Sequence, residues 1–180
     1  MKFLLFVILT FLVFSCENHN SYQPCEKQIL ANAIRKKLAL QIKQELNLIP
    51  CGTAGEMLGQ IKMLGLAFNC HKPLTIDDGR ILLIAAVEKF TAEVNANEEI
   101  RPYLNNYPFK AKNIYIEIFI HRPDGSHFGS EKLCVISARD GVLEYLNDDP
   151  NGPLFTTVYS EIYEEALVKL KRDTSSSPLE

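Results

Sequence analysis

Cys51 is the residue of this chain best placed for covalent chemistry. It stands in Pro50-Cys51-Gly52-Thr53, and Thr53-Ala54-Gly55-Glu56 has the spacing of a helix capping box. A thiol at a helix start feels the positive end of the helix dipole, which lowers its pKa and favours the thiolate nucleophile. His121 or His127, on or beside a downstream strand, would supply the base of a thiol hydrolase. A second constellation is His121, Asp124 and His127 around one turn, with Glu117 on the strand face of His121, a set that could converge on a metal ion. Arg122 lies among them and no second Cys/His cluster completes a tetrahedron, so the pattern reads as a solvated turn, with no metal and no cofactor expected.

Contact chemistry has its own candidates. Arg101, Tyr103, Asn105 and Tyr107 fall in an irregular stretch closed by Pro108, where tyrosine and arginine offer large contact area to a partner. The same aromatics could instead staple a helix to the next strand. Glu161, Glu164 and Glu165 read as the solvated face of a terminal helix, since no polar partner stands near them in sequence.

The N-terminus governs how the cysteines are read. Residues 3–14 are apolar except for Thr10 and follow Met1 and Lys2, as in a secretory leader; a spanning helix needs about 20 apolar residues. Val13-Phe14-Ser15-Cys16 resembles the lipobox of bacterial lipoproteins, with a small residue before the cysteine, and departs from it at Phe14. The resemblance implies diacylglyceride on the Cys16 sulfur and cleavage before it, which would anchor the protein to a membrane of the bacterial envelope, on its periplasmic or surface side. Ordinary leader cleavage after Ser15 is the alternative. In style the remaining chain resembles short bacterial envelope lipoproteins. The cysteine–histidine arrangement is also similar to that of bacterial cell-wall peptidases with a Cys/His pair, although the motif those enzymes carry around the cysteine is absent.

Bulk properties narrow the field further. A 180-residue chain with 19 Lys and Arg against 22 Asp and Glu has a formal net charge of −3, and its basic residues are scattered singly. That distribution gives no footprint for nucleic acid or for an anionic membrane surface.

The elements that must position these residues follow from periodicity. Leu30, Ile34, Leu38, Ile42 and Leu46 recur every four residues and predict a helix over 26–49. Met57, Ile61, Leu64 and Phe68 predict a second helix from Thr53, making a helical hairpin with the first. A third begins at Thr75, with Leu83, Val87, Phe90 and Val94 on its buried face. Alternation then predicts strands over 114–120, 132–138 and 142–146, with Asp140-Gly141 as a hairpin turn. Val158, Ile162, Ala166 and Leu170 predict a closing helix.

The expected fold is therefore α+β: a helical hairpin and a long third helix packed on a three-stranded antiparallel meander. The expected divisions are a leader over 1–15, a tether over 16–24, one domain over 25–172 and a disordered tail over 173–180. In a helical hairpin, Cys25 would pair with Cys70 and Cys51 with Cys134, because a straight helix of about 1.5 Å rise per residue keeps Cys25 from Cys51 and Cys51 from Cys70. Free buried thiols are the alternative. The functional expectation is a lipid-anchored, non-catalytic module binding a protein or cell-wall component. A thiol hydrolase using Cys51 and a small-ligand carrier with a cavity between sheet and third helix are the alternatives.

Overall fold

Every fourth residue of the first helix is apolar, and that stripe forms one wall of the core. A computed structural model describes residues 23–149 and 155–176; the leader, Cys16, most of the tether and residues 177–180 lie outside the described residues. Helix α1 (Glu26–Leu46) buries Ala31, Ile34, Leu38 and Ile42. It ends at Asn47, whose left-handed backbone (φ 55°) suits the short amide side chain.

The second expected helix is a β-hairpin. Strands β1 (Ile49–Glu56) and β2 (Met63–Cys70) pair antiparallel. The reason lies in the spacing of Leu64 and Phe68, which satisfies both a period of four and a period of two. Leu66 and Cys70 are also buried, and only the strand period places all four on one face. Gly55, Gly59 and Gly65 tilt the balance further, since each would cost a helix interior about 1 kcal/mol. The apparent capping box does not form: Thr53 and Glu56 are strand residues, and Glu56 pairs with Lys62 at 2.8 Å.

Helix α2 (Ile76–Ala96) forms where the sequence places it, with Thr75 and Asp78 capping each other. It carries the chain from β2 to β3 (Ile114–Ile120), which lies parallel to β2. Gly65 makes that pairing possible, because a Cβ there would sit 2.8 Å from both the Cβ and the carbonyl oxygen of Tyr115. Strands β4 (Leu133–Arg139), β5 (Val142–Asp148) and β6 (Phe155–Ile162) follow antiparallel. Asp140 (φ 52°) and Gly141 (φ 81°) make the left-handed pair that a two-residue hairpin requires.

The result is a mixed six-stranded sheet in sequential order, and the expected three-stranded meander is corrected on that count. The coarser α+β class stands. All three added strands overlap segments that periodicity assigned to helices. In the last, Val158 and Ile162 are again four apart, but Thr156, Thr157, Val158 and Tyr159 are β-branched or aromatic and favour extended chain. Helix α3 (Tyr163–Ser176) starts after them and runs past residue 173, where a disordered tail was expected to begin.

All three helices sit against one face of the sheet, α1 on β1 and β2, α2 on β3 to β5, and α3 beside α2 and β6. At the α2 contact Gly79 lets the ring of Tyr145 approach to 3.2 Å of where a Cβ would stand. Beside it, Arg80 is 3% exposed and its Nε donates to Glu161 Oε1 at 2.7 Å; Tyr145 Oη donates to the same oxygen at 2.7 Å. Asp77 completes the group from the surface, bridging to Arg80. Burial opposes the charge on Arg80, but its bonds to Glu161 and Asp77 prevail and raise its pKa. Glu161 is thus a buried partner on a strand, not a solvated helix residue.

Removing one member of a buried pair leaves the other uncompensated, so Glu161→Ala should cost about 3–5 kcal/mol. Asp77→Ala should cost far less, because the Asp77 side chain is 78% exposed. Urea denaturation of the two variants checks this, and equal losses would overturn the assignment.

Candidate functional site

Cys51 does not stand at a helix start. It occupies a β-bulge in β1, between Pro50 and Gly52, so no helix dipole acts on its sulfur. Its thiol is pushed above the ordinary range, first by burial and then by the negative charge of Glu117. Glu117 reaches this environment through the register: Gly52 pairs with Ala67, and Ala67 with Glu117. Glu117 also accepts a hydrogen bond from Tyr115, whose phenol is pushed up to about 12 by burial first and by that carboxylate second. The Arg139 guanidinium lies 5.6 Å over the Tyr115 ring.

The histidines lie elsewhere. His121 follows the end of β3, four positions past Glu117 and two strands from β1, about 15 Å from Cys51 by strand geometry. Its Nδ1–H donates to the Arg122 carbonyl at 2.7 Å, and its own carbonyl accepts from His71 Nδ1 at 3.0 Å. The His71 and His121 rings meet edge-on at 4.9 Å. His127 instead pairs through Nδ1 with Asp148 at 2.9 Å. The structure therefore separates Cys51 from both proposed bases.

A different cysteine comes near His127. Cys134 and His127 both line a shallow cavity of about 270 Å³ at this end of the sheet, with Phe119 and Phe155. The sequence did not signal this neighbourhood, because it depends on a register shift between Leu133 and Val135. Cys134 is 3% exposed and donates to the Leu146 carbonyl at 3.3 Å, with no hydrogen bond to His127. Burial, and then Asp148, push its thiol up. A buried thiol whose pKa is raised beside a carboxylate is poorly prepared to attack a carbonyl.

The polar residues around the 121–127 turn are each engaged separately. Asp124 accepts from Ser126 N at 2.9 Å and from its hydroxyl at 2.7 Å, which closes the turn and holds the Asp124 carboxyl below the usual range. Among the described residues, no three His, Cys, Asp or Glu side chains converge on a common point.

Cys25 and Cys51 are exposed and Cys70 and Cys134 are buried, all as free thiols. The pairing of Cys25 with Cys70 and Cys51 with Cys134 rested on a second helix between residues 53 and 68. That segment is a β-hairpin, so the geometric premise is gone.

The aromatic stretch is bound into the fold on one side and open on the other. Ile61 N donates to the Tyr103 carbonyl at 2.7 Å, Asn105 N returns a bond to Ile61 at 2.9 Å, and Tyr103 Oη donates to Glu26 at 2.7 Å. Arg101 stacks over the Tyr107 ring at 4.9 Å, and Tyr107 is 53% exposed. Asn105 and Tyr107 are thus the exposed members of this set, and Arg101 and Tyr103 are half-buried.

Between α2 and the sheet, Leu83, Val87, Phe90 and Val94 meet Ile116, Ile118 and Ile136, all fully buried. The clefts described open at the surface instead. Comparison with protein-family models, curated proteins and solved structures gave no match.

The electrostatics around Cys51 can be checked directly. Its alkylation by iodoacetamide should have a pH midpoint above that of an ordinary thiol, so the thiolate fraction at about pH 8 is small. Glu117→Gln removes the repelling charge and should speed alkylation at that pH by a few-fold. An unchanged rate in the variant would remove Glu117 from the environment of the sulfur.

Proposed function

We propose that this chain is a lipid-anchored module of the bacterial cell envelope that binds a protein or cell-wall component and performs no turnover. The observation that carries the reading is the separation of Cys51 from His121 and His127, with the Cys51 and Cys134 thiols both pushed above their ordinary range. Contact chemistry is what the surface retains. The Arg101 guanidinium lies over the exposed Tyr107 ring and is tied to Glu98 and the Asn95 carbonyl, on a segment fixed at Ile61 and Glu26. Such a pair engages a partner at small entropic cost, because its geometry exists before binding.

The anchor rests on the leader's lipobox-like residues and on Cys16. One preparation from the native host tests both halves. Intact mass should fit a diacylglyceryl group on a chain beginning at Cys16, and an unmodified Cys16 would overturn the anchor. Crosslinking in the intact envelope should return one specific partner, with recovery reduced roughly tenfold in Tyr107→Ala, as expected for loss of an aromatic anchor. Absence of any specific partner would overturn the binding reading.

A further inference from the structure

Two arginines are buried among the described residues, and their surroundings differ. Arg80 meets the carboxylates of Glu161 and Asp77. Arg35 is 5% exposed and meets none. Its Nη1 donates to Asn32 Oδ1 at 2.9 Å, its Nη2 faces the Met57 sulfur at 4.0 Å, and its Nε has no acceptor. Desolvation lowers its pKa with no carboxylate opposing the shift. A buried guanidinium with one amide acceptor is an incomplete arrangement, since five donors in a planar fork match the two oxygens of an oxyanion.

The fold makes room for this group. A Cβ at Gly55 would lie 2.4 Å from Arg35 Nη2, so the glycine admits the guanidinium under β1. Arg35 also lines a cleft of about 330 Å³ between α1 and the edge strand β1, with Asn32 and Lys36 on one wall and Cys51, Gly52 and Thr53 on the other. No carboxylate lines that cleft. Of the acids on the two elements, Glu26 is engaged by Tyr103 and Glu56 by Lys62, while the charge of Glu117 reaches Cys51 on the β1 wall. Lys27 adds a further positive charge, donating to the Met57 carbonyl at 2.9 Å.

We infer that the α1–β1 cleft is an oxyanion-binding site, in which Arg35 receives the carboxylate or phosphate-type group of a ligand and Lys36 guards the mouth. This deepens the binding-module reading and rests on it: the partner or wall component presents an anionic group here. The guanidinium is partly desolvated and oriented before the ligand arrives, so little side-chain ordering is left to be lost on binding. The chemistry is shared by a carboxyl terminus, an acidic sugar and a phosphate.

The test uses ¹⁵N-labelled full-length protein in maltoside micelles, following arginine Nε–H resonances. Sodium acetate and inorganic phosphate are titrated against sodium chloride at matched ionic strength. The Arg35 Nε–H signal should move saturably with one or both oxyanions and stay fixed in chloride, while Arg80 does not respond. A response to acetate alone identifies a carboxylate ligand, and a response to phosphate alone a phosphate-type one. Lys36→Gln, a surface change, should weaken the apparent affinity several-fold. An unmoved Arg35 signal at saturating acetate and phosphate overturns the inference, and because the native chain is measured, a failure of Arg35→Met to fold cannot obscure the result. Partner capture with no anion response would keep the module and remove the site. An anion response with no captured partner would keep the site and remove the macromolecular partner.

Discussion

The buried pairing of Arg80 with Glu161 is the constraint on which the second half of the structure depends. It joins the start of α2 to the edge strand β6 across the sheet, and Tyr145 on the intervening strand donates to the same carboxylate oxygen. Strand β6 is otherwise exposed over most of its length, so hydrophobic burial alone secures it weakly. A slip of one residue would turn Glu161 to the other face and leave a charged guanidinium unpaired in the interior. The ion pair therefore acts as a register device. Its neighbour Gly79 serves the same end, since a side chain there would displace the Tyr145 ring.

Much of the fold was legible in the sequence where only one periodicity fits. Ile114, Ile116, Ile118 and Ile120 admit nothing but a strand, and in the stripe of Ile34, Leu38 and Ile42 the intervening Lys36 breaks the strand period and leaves the helix. Errors arose where two apolar residues four apart satisfy both periods, as with Leu64 and Phe68 or Val158 and Ile162. In each case weaker signals decided: glycines in the first, β-branched and aromatic neighbours in the second. The error then spread to chemistry. Once residues 53–56 became a strand, Cys51 lost its helix dipole and the cysteines lost their geometric pairing.

The candidate site was less legible than the fold, for a physical reason. Arg35 resembles any surface cation of an amphipathic helix, and only tertiary structure shows it covered by β1. Gly55 was the available signal, a residue without a side chain where the strand crosses the helix. The reading of Glu161 as solvated failed in the same way. Whether a charge is buried depends on partners far along the chain, eighty-one residues away for Arg80 and Glu161.

The pairing of β2 with β3 is the one parallel pairing among the described strands, and a long helical crossover makes it. On one side stand α1 and the β1–β2 hairpin, wired locally; on the other, the β3–β6 meander, wired locally as well. Helix α2 crosses between them and leans on both. The molecule is thus two short-range halves zipped along one seam, and Gly65 lies in the teeth of that zip against Tyr115. Parting the halves would break this ladder together with the Ile61–Tyr103, Asn105–Ile61 and Tyr103–Glu26 bonds, while leaving each half's own strand pairings intact.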